Sequence, residues 1–204
     1  AQRARAKLDL FKQRIQEYES LFDESTAFLV RTQGVGYTKA EEMVNHGVTG
    51  PNVRAAGVDY DVRWAHPYSV YSELDWAPAV ERSSIKGADC YDRYRVRVTE
   101  MVESANMVLE ALERMPGGAE THYEPGDPAI IAKAPSRAPE GTFGSHHFED
   151  SRGESMFHIV GGGEGRGKNP YRVSIRSPMF ITIPYASKCM IGYKVADIPA
   201  IMGS

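Results

Sequence analysis

Cysteine is nearly absent from this chain: of 204 residues only Cys90 and Cys189 carry a thiol, far apart and in no Cys-x-x-Cys pair. Zinc and iron–sulfur sites made from cysteine need such pairs, so neither can be built from cysteine here. Two isolated thiols read as reduced, in a cytoplasmic setting. Long apolar runs are missing as well; no stretch of about 18 apolar residues occurs, which leaves no membrane-spanning helix and assigns any membrane association to partners. Charge of one sign is also lacking, since 24 basic against 27 acidic residues leave a formal net charge of −3. That balance gives no general attraction to nucleic acid or to an anionic membrane. Finally, no dinucleotide fingerprint is present. The Gly161–Lys168 loop lacks the Gly-Lys-Ser/Thr of a P-loop and stands between two expected strands, so it reads as a hairpin loop, not a phosphate cradle.

What is present is a helical pattern around one unusually specified stretch. The hydrophobic share of 42% is ordinary for a globular protein, and the length suffices for one core. Leu8, Phe11, Ile15, Tyr18 and Phe22 step by three and four, which predicts a bundle helix over about 3–21. Tyr91, Tyr94, Val98, Met101, Ala105, Val108, Leu112 and Met115 do the same, predicting a helix of about 26 residues with Asp89 as N-cap and Pro116-Gly117-Gly118 as its stop. Arg93, Arg97 and Glu100 fall outside that seam. Shorter helices are expected after Asp23–Thr26 and over Lys39–Asn45, the latter from a Thr38/Glu41 capping box, with His46 at its C-terminal end. The 120–138 stretch reads as an irregular crossing segment. Short strands are expected at 141–144, 155–160 and 171–176, the last with Tyr171, Val173 and Ile175 alternating against Arg172, Ser174 and Arg176. His146 and His147, adjacent on a strand, point to opposite faces and do not form a metal pair.

Gly47 to Arg63 is the stretch around which the rest is arranged. Pro51 presets a first helical turn, and Gly57 suits the left-handed residue just past it. Arg54 lies within that turn. Asp59, Asp61 and Arg63 then alternate with Val58, Tyr60 and Val62, as an extended piece with one charged and one apolar side. Two readings stay open for these charges: solvated ion pairs on a loop, or groups that order a site. Asp197, alone among the apolar residues of the expected buried segment Val195–Met202, must be paired, hydrogen-bonded or protonated, and it too is open to a structural or a functional reading. The aromatics Trp64, Tyr68, Tyr71 and Trp76 suit a packed loop or an interface.

The phrase Gly50-Pro51-Asn52-Val53-Arg54-Ala55-Ala56-Gly57, followed by Asp61-Val62-Arg63, Pro67-Tyr68, Gly87-Ala88-Asp89-Cys90-Tyr91-Asp92-Arg93 and Arg97-Val98-Thr99-Glu100-Met101, resembles the D subunit of bacterial NADH-quinone oxidoreductase, the quinone-site subunit of respiratory complex I. The resemblance continues through Asn169-Pro170-Tyr171-Arg172 and Arg176-Ser177-Pro178-Met179-Phe180 to Ser204. It implies an α+β, mainly helical fold like the large subunit of nickel–iron hydrogenases, a helical bundle with short peripheral antiparallel strands. It also implies work inside a membrane-bound respiratory complex. There electrons from NADH pass through iron–sulfur clusters on partner subunits to quinone as substrate, with no cofactor, catalytic residue or metal ligand on this chain and no nucleic-acid partner. The place implied is peripheral, on the cytoplasmic side of the membrane. Arg54, Asp61, Arg63 and Asp197 are the residues expected to support the quinone site or an interface. The family's headgroup-holding His and Tyr lie on a segment without counterpart here.

The chain departs from the family where Arg137-Ala138-Pro139-Glu140-Gly141 exchanges two charges, and where Gly192-Tyr193-Lys194 replaces Gly-His. Its closing Gly192–Pro199 stretch is also similar to energy-converting hydrogenases and to ferredoxin- or coenzyme-linked dehydrogenases. A hydrogenase-type parent or a non-catalytic assembly module of the same fold therefore stays open. Opening without Met and closing on an apolar run, the chain reads as a fragment: one partial domain, helical with a long loop over 1–118, irregular and β over 119–178, helical again over 179–204.

Overall fold

In a computed structural model the chain is described over residues 2–80, 87–115, 138–163 and 169–204. It divides into two compact units, one of Ala1–Glu113, Phe148–Ser155 and Ser177–Ser204, the other of Arg114–His147 and Met156–Arg176. The architecture is α+β and mainly helical with short antiparallel sheets, as the sequence implied.

The first unit is built on two long helices, α1 (Gln2–Asp23) and α6 (Cys90–Arg114). Their polar rungs fix an antiparallel pairing: Arg5 meets Glu113 at 2.9 Å, Lys12 meets Asn106 at 3.3 Å, and Arg95 reaches both Glu19 and Asp23. Positions seven apart on α1 return to the same face after about two turns, which is why they form one line of contacts. The start of α6 is closed by a reciprocal box in which Asp89 Oδ1 accepts from the Asp92 N–H at 2.9 Å and Asp92 Oδ2 accepts from the Asp89 N–H at 3.0 Å. Between these helices lie α2 (Thr26–Thr32), the two-residue strand β1 (Thr38–Lys39), α3 (Ala40–Asn45), α4 (Pro51–Ala55), α5 (Val62–Ala65) and a 3₁₀ turn at Tyr71–Glu73. Strand β2 (Gly87–Ala88) pairs antiparallel with β1, Thr38 opposite Ala88, and so delivers the first turn of α6 beside α3. Helix α7 (Met179–Cys189), a 3₁₀ turn at Val195–Asp197 and α8 (Ile198–Gly203) complete the unit. Its core is formed by Met43, Val48, Val53, Ala55, Ala56, Ala88, Val96 and Tyr185.

The second unit centres on a three-stranded antiparallel sheet in the order β3 (Phe143–Asp150), β4 (Gly153–Val160), β5 (Arg172–Arg176). The β3–β4 hairpin tip, 148–155, belongs to the first unit. Phe157 stands opposite Ile175 and Ile159 opposite Val173, so one apolar face runs across β4 and β5, and these four side chains remain exposed. Antiparallel pairing of β4 with β5 agrees with the hairpin expected from the Gly-rich connection, of which residues 164–168 lie outside the described residues, as do the expected stop at 116–118 and most of the irregular 120–138 stretch.

Several expectations are corrected. The α1 stripe reads as core, yet Ile15 is its only buried residue and Phe11, Tyr18 and Phe22 are exposed. Periodicity tells which side of a helix is apolar, not what covers it. Thr38 does not cap α3: it lies in β1, its hydroxyl faces the Ala88 carbonyl, and Lys39 takes the cap position without a side-chain bond. Arg63 is helical, not extended, because Asp61 caps α5. Val195–Met202 is not a buried segment: Val195 is 83% exposed, and within 195–202 only Asp197 and Ile201 are buried.

Candidate functional site

Helix α4 is a single turn, and its sequence explains it. Pro51 occupies the first turn where no N–H partner exists, and Gly50 before it and Gly57 after it hold φ of 79° and 85°, values that favour glycine. Gly50 has a second constraint. A Cβ there would lie 2.3 Å from the Cα of Gly153, so the two backbones touch where the β3–β4 hairpin tip meets α4. The Thr49 hydroxyl accepts the Glu154 N–H at 3.0 Å and fastens the same contact. This close approach places Glu149 beside α4.

Arg54 projects from that turn and is 1% exposed. Its Nε and Nη2 both donate to Glu100 Oε1 at 2.8 and 2.6 Å, while Nη1 donates to Glu149 Oε1 at 2.9 Å and to the Tyr60 carbonyl at 3.1 Å. Asp61 Oδ2 completes the set at 3.2 Å. Burial opposes the charge, but Glu100, Glu149 and Asp61 outweigh it and hold the guanidinium above its ordinary pKa. Asp61, itself buried, caps α5 by accepting the Arg63 N–H at 2.9 Å and grips the Arg63 guanidinium through two bonds of 3.0 and 2.7 Å. Arg63 in turn lies over Trp76, 4.8 Å from the ring centroid, and against Tyr71 at 5.7 Å. Trp76 donates its indole N–H to the Tyr71 carbonyl at 3.1 Å, and the Tyr68 hydroxyl accepts the Glu149 N–H at 3.1 Å. The packed-loop reading of these aromatics holds for Trp76, whereas Trp64 remains exposed.

Two guanidinia thus face three carboxylates. The excess negative charge falls on Glu149, whose pKa burial pushes up against the pull of Arg54, with Asp61 adding to the rise. Of the four expected site residues, the structure joins Arg54, Asp61 and Arg63 in one buried network. Asp197 stands apart. It pairs with Arg31 at 3.1 Å and accepts the Lys194 N–H at 3.2 Å, while Arg31 also donates to the Ala196 carbonyl at 2.7 Å. Sequence reasoning missed Glu100 and Glu149. Glu100 falls outside the apolar seam of α6 and so reads as solvated; the signal that points to it is the need of a buried Arg54 for counter-charge. Glu149, in His-Phe-Glu-Asp, carries no local signal.

A second group of titratable residues lies at the end of α3. The Nδ1 of His46 faces the Glu42 carbonyl at 2.7 Å, the helix-terminal role expected of it, and its Nε2 accepts from the Lys188 ammonium at 2.7 Å. Tyr185 packs against the His46 ring with centroids 4.9 Å apart. Burial, with Cys189 and Glu42 adding, pushes the Tyr185 hydroxyl up to about 12. Its oxygen is buried, and the Thr38 hydroxyl and Cys189 thiol flank it without completing a well-formed hydrogen bond. No group of three or more His, Cys, Asp and Glu among the described residues is placed to hold a metal. The buried charges of Arg54, Asp61 and Glu149 are engaged with one another, so their arrangement orders the backbone around α4, α5 and the hairpin tip.

Comparison with known proteins gives this arrangement its context. The chain is 37% identical to the D subunit of NADH-quinone oxidoreductase from Flavobacterium johnsoniae, over 97% of this chain and 52% of the relative. It is 36% identical to the D subunit of F(420)H(2) dehydrogenase from Methanosarcina mazei, over 97% and 50%. Among solved structures, a chain of the membrane-bound sulfane sulfur reductase, an archaeal respiratory membrane complex, superposes with a TM-score of 0.83 at 29% identity, covering 98% of this chain and 52% of that one. By their names, these similar proteins are subunits of oxidoreductase complexes. The family described as respiratory-chain NADH dehydrogenase, 49 Kd subunit, matches residues 1–204, and the chain belongs to it. It spans about half the length of the curated relatives it matches.

Proposed function

We propose that this chain contributes to the quinone-reducing end of an NADH-quinone oxidoreductase, as part of the subunit that shapes the quinone cavity and docks the iron–sulfur-cluster subunit. The observation that carries this reading is the family match across residues 1–204, together with the identity to the D subunits of NADH-quinone oxidoreductases. In it the chain holds no cofactor of its own. NADH and the iron–sulfur clusters sit on partner subunits, quinone is the substrate, and the chain lies peripherally on the cytoplasmic side of the membrane. No helix among the described residues is long and apolar enough to cross a membrane, which accords with attachment through partners. Arg54, Asp61 and Arg63 support the site from behind, by fixing α4, α5 and the hairpin tip to α6. Asp197 fixes the C-terminal turn through Arg31.

The likeness to the F(420)H(2) dehydrogenase chain and to the sulfane sulfur reductase chain supports a second reading, in which a related parent complex, of hydrogenase or coenzyme-linked dehydrogenase type, uses another electron donor or acceptor. A hydrogenase-like assembly module without catalysis is the third. One experiment separates them: affinity purification of the membrane complex containing the tagged chain, followed by assay with NADH and reduced F420 as donors and with a short-chain quinone and polysulfide as acceptors. NADH-dependent quinone reduction by the complex, and none by the purified chain alone, is the expected result. Activity only with another pair selects the second reading, and no redox turnover in an intact complex selects the third.

A further inference from the structure

Helices α3, α4, α6, α7 and α8 border a cavity of about 90 Å³ within the first unit, room for several water molecules or for a small organic acid. Met43, Val48 and Ile201 give it apolar walls. Its polar lining is basic or neutral: Arg93 from α6, Arg152 from the hairpin tip, Asn52 from α4 and Tyr185 from α7 all border it, and no aspartate or glutamate does.

The charges and donors of this lining lack a counterpart. Arg93, 5% exposed, donates to the Ala88 carbonyl at 3.2 Å, the Gly36 carbonyl at 3.1 Å, Ser204 Oγ at 3.0 Å and Cys90 Sγ at 3.4 Å, every one an uncharged acceptor. Those bonds leave an Nη1 N–H of the guanidinium free. A turn along α6, Arg97 is held by the Arg93 carbonyl at 3.0 Å and by Asn52 Oδ1 at 2.8 Å. Burial, with the charges of Arg93 and Arg152 adding, pushes its pKa down to about 10. Arg93, Arg97 and Arg152 make no ion pair among the described residues. Buried cations without counter-charge are costly, and neighbouring ones repel. The second observation is independent of charge. Tyr185, 6% exposed, buries a hydroxyl that has no hydrogen-bond partner, and burial keeps it protonated as a donor. Glu42, which acts on it from outside, does not line the cavity. Because Asn52 Oδ1 accepts from Arg97, the amide N–H groups are what Asn52 has left for the cavity it borders.

We propose that this cavity binds one carboxylate carried on a short apolar body, with Arg93 and Arg152 supplying the charge, Tyr185 and Asn52 the hydrogen bonds, and Met43, Val48 and Ile201 the apolar contact. A carboxylate offers two oxygens and one charge, which a guanidinium edge and a hydroxyl can satisfy. The further oxygens and second charge of a phosphate would face the apolar walls, where they go unpaired. The inference goes beyond the function proposed above and does not depend on which donor or acceptor the complex uses.

The test uses the full chain in its purified membrane complex, with butyrate as the probe. Equilibrium dialysis of the radiolabelled acid reads binding, and proteolysis during heating reads the melting temperature of the chain. Saturable binding of one butyrate per chain, with a rise in melting temperature, identifies a free acid as the source. Tyr185→Phe removes only an oxygen without a partner and should then weaken butyrate by about tenfold. Arg152→Gln, at an exposed position, should weaken it by about threefold. A carboxylate borne by a polypeptide side chain gives another pattern: butyrate neither binds nor stabilises, and Tyr185→Phe lowers the melting temperature although it breaks no bond among the described residues. Butyrate without effect, together with a Tyr185→Phe chain that melts at or above the wild-type temperature, shows an empty cavity and overturns the inference. Butyrate binding that neither substitution weakens overturns it too, as does displacement of butyrate by equimolar inorganic phosphate.

Discussion

The region around Arg54 and the segment around Asp197 use the same kinds of residue and end in opposite conditions. At Arg54 the guanidinium, Asp61 and Glu149 are enclosed and Glu100 and Arg63 mostly so: guanidinia and carboxylates from α4, α5, α6 and the hairpin tip satisfy one another, and Val53, Ala55 and Val62 beside them are buried. Around Asp197 one ion pair joins a buried acid to a half-exposed Arg31, while Ile191 and Val195 nearby are 79 and 83% exposed. The first is a finished interior and the second an open surface. Charge inside a finished interior is expensive to disturb, because removing one partner strands the others without water; charge at an open surface is cheap, because solvent takes the lost partner's place.

The sharpest way to break that contrast is Arg54→Ala. It leaves Glu100, Glu149 and Asp61 facing one another, and a loss of about 3–5 kcal/mol of stability, or failure to fold, is expected in urea unfolding. A loss under about 1 kcal/mol would show the network to be as replaceable as a surface pair. Next comes Gly50→Ala, which must place a Cβ in a positive-φ position and against the Gly153 backbone. About 1–3 kcal/mol should be lost, and a shift of the Glu149 backbone amide in an NMR spectrum would report the hairpin tip moving off α4.

Glu149→Gln sharpens the comparison through pH. Burial raises the Glu149 pKa, so between its ordinary value and its folded value the folded chain holds a proton that the unfolded chain has lost. Stability from this group is therefore complete below the ordinary value and is lost as pH rises through the folded one. The amide of the variant does not titrate and carries no such dependence. The stability difference, wild type minus variant, should grow in favour of wild type as pH falls from neutrality towards the ordinary carboxylate range; a flat difference across that range contradicts the buried-acid account. The smallest effect is expected for Asp197→Asn, whose lost partner is half in solvent: about 1 kcal/mol or less by thermal melting, with the loss shrinking in high salt.

Helix α4 is legible in the sequence, since Gly50-Pro51 and Gly57 bracket one turn by backbone chemistry alone. So is α6, from its unbroken stepping and the Asp89 cap, and the β4–β5 pairing from alternation. Asp61, Arg63 and Arg54 stand out together because they are close in sequence. Their remaining partners are hidden by distance: Glu100 lies 46 residues from Arg54 and Glu149 lies 95. Nothing local distinguishes those glutamates from the solvated ones around them. Exposure is hidden for a related reason. Phe11 and Val98 occupy equivalent places in their stripes, yet one is exposed and the other buried.

By itself, then, the sequence determined the local states of the backbone, because turn residues, caps and periodicity act within a few residues of one another, and it determined the family through phrases in a fixed order. Which charges meet and which apolar side chains are buried were decided by the tertiary structure. Burial and ion pairing depend on what arrives from far along the chain, and desolvation acts on the assembled interior.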